Sequence, residues 1–322
     1  MPANIEKSFL FNYLCGIKKS AMELRIGEFA ALFTAVCWTV TAMAFETASR
    51  KVGSVPVNII RLVMALLLLS MFSWIRRGMA IPMDAELYNW FWLALSGLVG
   101  FVIGDLFLFK SFTVIGSRLA LLIMTMVPPI SALIGFFLLG ETLALIHLSG
   151  MGLTISGIAL VIFYRQNKNK QSGRIPEKLP VKGIIFALLG AAGQATGLVL
   201  SKYGMQDYDA FSATQIRVIA GIIGFTIVIH VFKKWGAVGN ALTNKKALWL
   251  MLLGATFGPF LGVSSSLIAV QHTATGIAST IMSISPILIL PTTYFIFGQK
   301  VSWKEFLGAI ISVAGVTLFF IW

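Results

Sequence analysis

The chain has 322 residues, of which 57% are hydrophobic and only 11% are charged. A soluble domain carries roughly a quarter charged residues, so the composition excludes a water-soluble globular protein and predicts a protein embedded in a lipid bilayer. The net charge of +13 indicates loops that contact anionic lipid, and no basic stripe with exposed aromatics predicts nucleic-acid binding. The two cysteines, Cys15 and Cys37, are not spaced as a metal site or a redox pair.

Residues 1–25 come before the first long apolar run. Their apolar patch is too short to span a bilayer, so we expect an interfacial or disordered leader. Ten later runs reach the roughly 20 apolar residues that a spanning helix needs. They lie at 27–48, 55–75, 89–110, 117–138, 144–164, 183–203, 211–232, 247–270, 276–297 and 302–321. The runs lack the alternation of barrel strands, so the predicted fold class is an all-α multi-pass membrane protein with ten transmembrane helices.

The chain consists of two copies of one unit. A polar linker at 165–182 separates a first repeat at 26–164 from a second at 183–322. Shifts of 156 or 158 residues superpose identical residues, including the pairs Arg61 and Arg217, Pro128 and Pro286, Gly140 and Gly298, and Gly150 and Gly308. Each copy has five predicted helices. Because five is odd, the second copy enters the membrane from the opposite side, as in the inverted repeats of many secondary transporters.

These motifs resemble the EamA type of the drug/metabolite transporter superfamily, over about 27–321. The resemblance rests on Trp38, on Pro128, Gly140, Glu141 and Gly150 with their partners Pro286, Gly298, Gln299 and Gly308, and on Arg61 with Ala65 and Arg217 with Gly221. It implies a transporter, and members of the family move amino acids, other metabolites or drugs. Gln299 replaces the family's second glutamate, which indicates that the Gly-Glu turn is structural.

Glycines and prolines mark how the helices pack and bend. Glycines spaced three or four residues apart in the third, fifth, eighth and tenth spans predict close helix contacts. Prolines inside spans free a backbone carbonyl that must face protein or a water-filled cavity. We therefore expect the kinks at Thr125–Pro129 and Ser283–Pro286 to line a central cavity, with a plain packing kink as the alternative.

Five ionisable residues lie inside predicted spans, where charges are costly and usually functional. They are Glu46, Arg61, Asp105, Lys202 and Arg217. The predicted topology places the first three near one mouth, where we expect a Glu46–Arg61 or an Asp105–Lys110 pair. It places Lys202 and Arg217 toward the other mouth. The alternative is that these side chains reach the interface from helix ends.

Mid-span polar residues complete the candidate site, because Trp38 and Gln194 are repeat equivalents that should both face the cavity. The candidate substrate-binding or coupling residues are Trp38, Thr41, Glu46, Arg61, Asp105, Thr125, Pro128, Gln194, Lys202, Arg217, Ser283 and Pro286. The sequence has no phosphate-binding loop, catalytic motif or metal-ligand spacing. It predicts no cofactor and no enzyme activity.

The predicted function is secondary active export of a small metabolite such as an amino acid. Alternating access with proton coupling through Glu46 or Asp105 is the expected mechanism. The alternatives are efflux of drugs or other cationic compounds, and, in different classes, an intramembrane enzyme or a passive channel. We expect a multi-pass protein of the cell (inner) membrane, a monomer or homodimer whose partners are lipid and substrate. Basic loops at 165–182 and 233–246 place both termini outside, whereas the resemblance favours both inside.

Overall fold

The computed structural model describes residues 3–139, 145–171, 180–272, 275–297 and 302–319. Every regular element in these ranges is helical, as expected where the backbone must satisfy its own hydrogen bonds in lipid. The helices are α1 Ala3–Val52, α2 Ser54–Arg77, α3 Leu87–Ile115, α4 Ser117–Ile123, α5 Val127–Leu139, α6 Leu145–Gln171, α7 Val181–Met205, α8 Ala210–Val231, α9 Trp235–Thr243, α10 Lys245–His272, α11 Thr275–Met282, α12 Ser285–Phe297 and α13 Trp303–Phe319.

Seven segments of the described chain are long and apolar enough to cross a membrane. They are Ile26–Val52, Ser54–Arg77, Leu87–Ile115, Ser117–Ile134, Val181–Met205, Ala210–Val231 and Lys245–His272. Each coincides with one of the ten predicted spans. Helices α6, α11 with α12, and α13 occupy the other three predicted positions. The predicted turns at Gly140–Glu141 and Gly298–Gln299 lie outside the described residues.

Large apolar side chains cover much of the outer surface. Phe29, Leu67, Phe137 and Trp249 are each at least two-thirds exposed. Monomeric soluble proteins do not present apolar surface on this scale. The exposed apolar side chains and the candidate spans together describe a multi-pass membrane protein.

Single glycines join consecutive helices at two places. Gly53 separates α1 from α2 with a φ of +90°, and Gly116 separates α3 from α4 with a φ of +81°. Side chains strongly disfavour these backbone conformations, whereas glycine adopts them freely. The chain therefore reverses within one residue, and neighbouring helices begin and end at the same level.

The helices pair across the two repeats. Helix α1 packs on α10, and α3 packs on α7, while α2 packs on α8, α4 on α12, and α6 on α13. The repeat relates α1 to α7 and α10 to α3. It therefore converts the α1–α10 pair into the α7–α3 pair. The α2–α8 and α6–α13 pairs join repeat-related helices, whereas the repeat relates α4 to α11 and α12 to α5, and α11 and α5 are also in contact. This is the packing expected of two equivalent halves related by a two-fold axis.

Glycines allow the closest of these contacts. A methyl group at Gly193 would lie 2.6 Å from Cα of Gly104, and one at Gly197 would lie 2.8 Å from Cα of Gly100. Helices α7 and α3 therefore touch backbone to backbone. In lipid, helices are held together mainly by such van der Waals packing. The close contacts predicted from the glycine spacing are thus present in this pair.

Both halves interrupt their helices at equivalent positions. Leu98–Gly104 of α3 and Thr256–Val263 of α10 are π-helical and are related by the repeat. A 3₁₀ turn at Met124–Met126 precedes Pro128, and the break between Met282 and Ser285 precedes Pro286. The prolines cannot donate the hydrogen bonds of a regular helix. The two predicted kinks are therefore confirmed, and all four irregular segments reach the middle of the bundle.

Candidate functional site

A cavity of about 140 Å³ lies where the two halves meet. A single water molecule occupies roughly 10–15 Å³ of such a cavity, so this one is large enough for a small molecule. Its wall comes from both repeats. The lining residues are Trp38, Thr41, Ala42, Arg61, Phe101, Asp105, Leu108, Phe109, Phe112, Leu121, Met124, Thr125, Val127, Pro128, Gln194, Leu198, Arg217, Gly258, Pro259, Val263, Ser266, Ser279, Met282, Ser283, Ser285 and Pro286.

The structure brings most of the predicted site residues to this cavity. Those that line it are Trp38, Thr41, Arg61, Asp105, Thr125, Pro128, Gln194, Arg217, Ser283 and Pro286. Glu46 and Lys202 do not line it. Both predicted kinks therefore border the cavity, as the freed carbonyls of the prolines required.

Arg61 and Asp105 form a buried ion pair at the cavity wall. The pairing predicted from the sequence, Glu46–Arg61 or Asp105–Lys110, is therefore wrong. Asp105 also accepts a hydrogen bond of 2.5 Å from Nε2 of Gln194, which belongs to the second half. Nε of Arg61 donates to Oδ1 of Asn58 at 3.1 Å. The carboxylate of Asp105 thus has partners from both repeats.

Arg217 approaches the same group of residues. Its guanidinium carbon lies 4.9 Å from the centre of the Phe101 ring, and that of Arg61 lies 5.7 Å from the same ring. Asp105 is close enough to attract the charge of Arg217. The predicted separation of Arg61 and Arg217 to opposite mouths is therefore wrong. Each lies about two turns from the start of its helix, and those helices start at opposite ends, so the side chains meet in the middle.

Glu46 has a structural position at the end of α1. Its carboxylate pairs with Arg50 at 2.9 Å and accepts a hydrogen bond of 2.8 Å from the backbone N–H of Ser117. Ser117 is the first residue of α4, whose N-terminus favours a negative charge. Glu46 therefore stabilises the α3–α4 turn, next to Gly116. Lys202 is exposed on α7.

Most hydroxyl groups at the cavity donate hydrogen bonds to backbone carbonyls of the surrounding helices. Thr125 donates to the backbone carbonyl of Leu122, Ser283 donates to that of Ser279, and Ser285 donates to that of Ala35. Thr41 differs, because its buried Oγ1 has no hydrogen-bond partner among the described residues. Nε of Arg217 is likewise without a partner there. Among the described lining residues, Thr41 and Arg217 are the two with a fully buried polar side-chain atom that lacks a hydrogen-bond partner.

Sequence reasoning missed the aromatic part of the wall. Phe101, Phe109 and Phe112 line the cavity. The Phe109 ring centre lies 4.6 Å from the guanidinium carbon of Arg61, a cation–π contact that helps to hold the charge. An apolar ring within an apolar helix carries no signal of its own. The available clue was that these residues lie four or seven positions from Asp105 on α3, which places them on the same face of the helix.

Ion pairs join the two halves at both ends of the bundle. At one end Arg76 pairs with Asp209 at 2.8 Å, and Tyr208 donates to Asp84, which also pairs with Arg77. At the other end the buried Arg118 pairs with Glu305. Each set connects the first half of the chain to the second.

Comparisons with known proteins agree with this architecture. One solved crystal structure, whose description gives no function, superposes with a TM-score of 0.58 over 92% of this chain and 96% of that chain, at 15% identity, and shows the fold alone. Probable transport protein YPL264C of Saccharomyces cerevisiae is 26% identical over 171 residues, which are 46% of this chain and 48% of the yeast protein. The matched region thus spans about half the length of that relative.

The family comparison covers both repeats. The model of the EamA-like transporter family matches residues 25–163 and 181–321. These two matches agree with the repeat boundaries and leave out little more than the N-terminal residues and the linker. The chain belongs to the EamA-like transporter family.

Proposed function

We propose that the chain is a secondary active transporter that exports a small metabolite such as an amino acid. The observation that carries the proposal is the cavity between the two halves, with Arg61, Asp105 and Arg217 in its wall. Charged groups within membrane spans typically mark a substrate or ion pathway. The volume of about 140 Å³ suits a small molecule.

Alternating access is the proposed mechanism. In this proposal the chain has ten spans in two inverted five-helix repeats, which rock against each other around the cavity. The Arg118–Glu305 pair closes one end, and the Arg76–Asp209 pair and the hydrogen bond from Tyr208 to Asp84 close the other. Only one end opens at a time, because opening one end presses the two halves together at the other.

Asp105 is the proposed coupling residue. Of the two carboxylates considered from the sequence, it is the one that lines the cavity, whereas Glu46 is bound at the α3–α4 turn. Protonation of Asp105 would weaken its attraction to both arginines and change the charge that a substrate meets. Protonation of Asp105 would thereby be linked to substrate binding.

Efflux of apolar drugs is the second candidate function. The wall formed by Trp38, Phe101, Phe109 and Phe112 supports it, because aromatic surfaces suit varied apolar ligands. The two arginines and one aspartate give the wall a formal charge of +1, which disfavours a cationic drug. The metabolite therefore remains the first proposal.

Transport by the purified protein tests the proposal. Proteoliposomes loaded with labelled amino acids, one at a time, should show saturable efflux that an imposed proton gradient drives uphill and a protonophore abolishes. The matched control is Asp105→Asn, which should lose the proton-driven component. Flux that rises linearly with concentration would instead indicate a passive channel. Proton-driven transport that survives in Asp105→Asn would refute the role of Asp105.

Membrane placement is part of the proposal. We place the protein in the cell (inner) membrane, with both termini outside according to the basic loops at 165–182 and 233–246. A reporter fused to the C-terminus that is active only in the cytoplasm would reverse this orientation.

A further inference from the structure

The two halves of the chain have equivalent arginines but not equivalent acids. Arg61 and Arg217 are related by the repeat, and Arg61 pairs with Asp105. The residue that corresponds to Asp105 in the second half is Val263, which also lines the cavity. The repeat therefore predicts a place for a second carboxylate near Arg217, and at this position the chain has an apolar side chain.

Arg217 is buried with an unsatisfied donor. It is 3% exposed, and its Nε has no hydrogen-bond partner among the described residues. An unsatisfied buried donor is destabilising, and more so when the group is charged. Phe101 covers a face of the guanidinium, but a guanidinium donates its hydrogen bonds in its own plane. No described residue accepts a hydrogen bond from the Arg217 guanidinium, which lines the cavity, so its in-plane donors at Nη1 and Nη2 remain for a group inside the cavity.

Charge leads to the same conclusion. Asp105 attracts Arg217, but its oxygens already bind Arg61 and Gln194. Two arginines and one aspartate leave a formal charge of +1 at the cavity wall. A buried charge without a counter-charge is unfavourable. One carboxylate would neutralise the site, and its planar shape matches the donor pair of a guanidinium.

We propose that Arg217 binds the carboxylate of a small monocarboxylic acid, the class that includes the amino acids. This inference rests on the proposed transport function and names the substrate class of the same cavity. Arg61 does not share the role, because Asp105 neutralises it.

Ligand binding by the purified protein tests the chemistry. The panel consists of the twenty common L-amino acids, acetate, lactate and benzoate, each beside its primary amide, with chloride and inorganic phosphate as simple anions. Acids should raise the thermal unfolding midpoint of the wild type, and their amides should not. Arg217→Gln should weaken the best acid at least about 30-fold. Arg217→Lys keeps the charge but loses the bidentate geometry, so it should retain part of the affinity.

Substitution of Val263 supplies the missing acid directly. In Val263→Asp, the new carboxylate should pair with Arg217. Relative to Val263→Asn, this variant should have a higher unfolding midpoint and bind acids more than tenfold more weakly. The asparagine has the same size without the charge, so the difference isolates the ion pair. This gain in stability distinguishes competition for Arg217 from simple damage to the fold.

The outcomes separate this inference from the proposed function. Amides that bind as well as acids would overturn the carboxylate assignment. The carboxylate assignment would also be overturned if chloride stabilised the protein equally, if no acid bound, or if Arg217→Gln kept wild-type affinity. Saturable transport of an amine, independent of Arg217, would overturn the carboxylate assignment. The proposed transport function would remain supported. The absence of saturable transport of any solute by the wild type would refute the proposed function itself.

Discussion

Gln194 donates a hydrogen bond of 2.5 Å to Asp105, so a residue of the second repeat contacts the acid of the first. The same carboxylate pairs with Arg61 and attracts Arg217. One acid therefore connects both arginines and both halves of the chain. The contact depends on the glycines of α3 and α7, which bring the two backbones together beside it.

Removal of this acid should destabilise the protein. Asp105→Asn leaves Arg61 buried without a counter-charge, since the side chains of the pair are only 4% and 6% exposed. Loss of one partner of a buried pair costs about 3–5 kcal/mol. The unfolding midpoint in detergent should fall accordingly. The double variant Arg61→Met with Asp105→Asn should recover most of the loss, and a double variant less stable than Asp105→Asn would contradict the pairing.

Glu46→Gln should reduce stability without changing the cavity. The glutamine keeps an acceptor for the N–H of Ser117 but loses the charge at the start of α4, which we expect to cost about 1 kcal/mol. Calorimetry would measure this loss, and a transport assay would show unchanged substrate affinity and proton dependence. Altered proton coupling in Glu46→Gln would return Glu46 to the transport site.

Gly193→Ala should separate α7 from α3. Its new methyl group would lie 2.6 Å from Cα of Gly104, which is backbone and cannot rotate away. Overpacking of this kind costs about 1–3 kcal/mol. Gly152→Ala is the matched control on α6, because nothing lies within 4 Å of its methyl group. The control should unfold at or slightly above the wild-type temperature, and equal losses in both variants would refute the close contact.

Asp84 should make one end of the bundle sensitive to acid. Partial burial raises the pKa of Asp84, but hydrogen bonds from Arg77 and Tyr208 outweigh this and hold the pKa below its ordinary value of 3.8. A lowered pKa means that the folded state favours the charged form. The resulting stability is present above the ordinary pKa and is lost as the pH falls through the lowered value.

The measurement compares Asp84→Asn with the wild type from neutral pH to below pH 3.8. The wild type should be the more stable at neutral pH, and the difference should vanish at the acidic end. A difference that is the same at every pH would show that the charge of Asp84 contributes nothing.

Sequence patterns predicted the helical membrane fold, the repeat, both kinks and ten of the residues that line the cavity. These features follow from local properties. Apolar run length sets the spans, proline interrupts a helix whatever surrounds it, and a repeat is visible as identical residues at a constant shift.

Partnerships between charges required the tertiary structure. The order of spans indicates at which end a helix starts, but not how far a side chain reaches or which way it turns. The span order therefore predicts Arg61 and Arg217 at opposite mouths, although both contact Phe101. It offers Arg61 as a partner for Glu46, although Arg50 lies one turn away on the same helix as Glu46. Sequence alone determined which residues are present in each half, and the packing of α3 on α7 decided which of them meet.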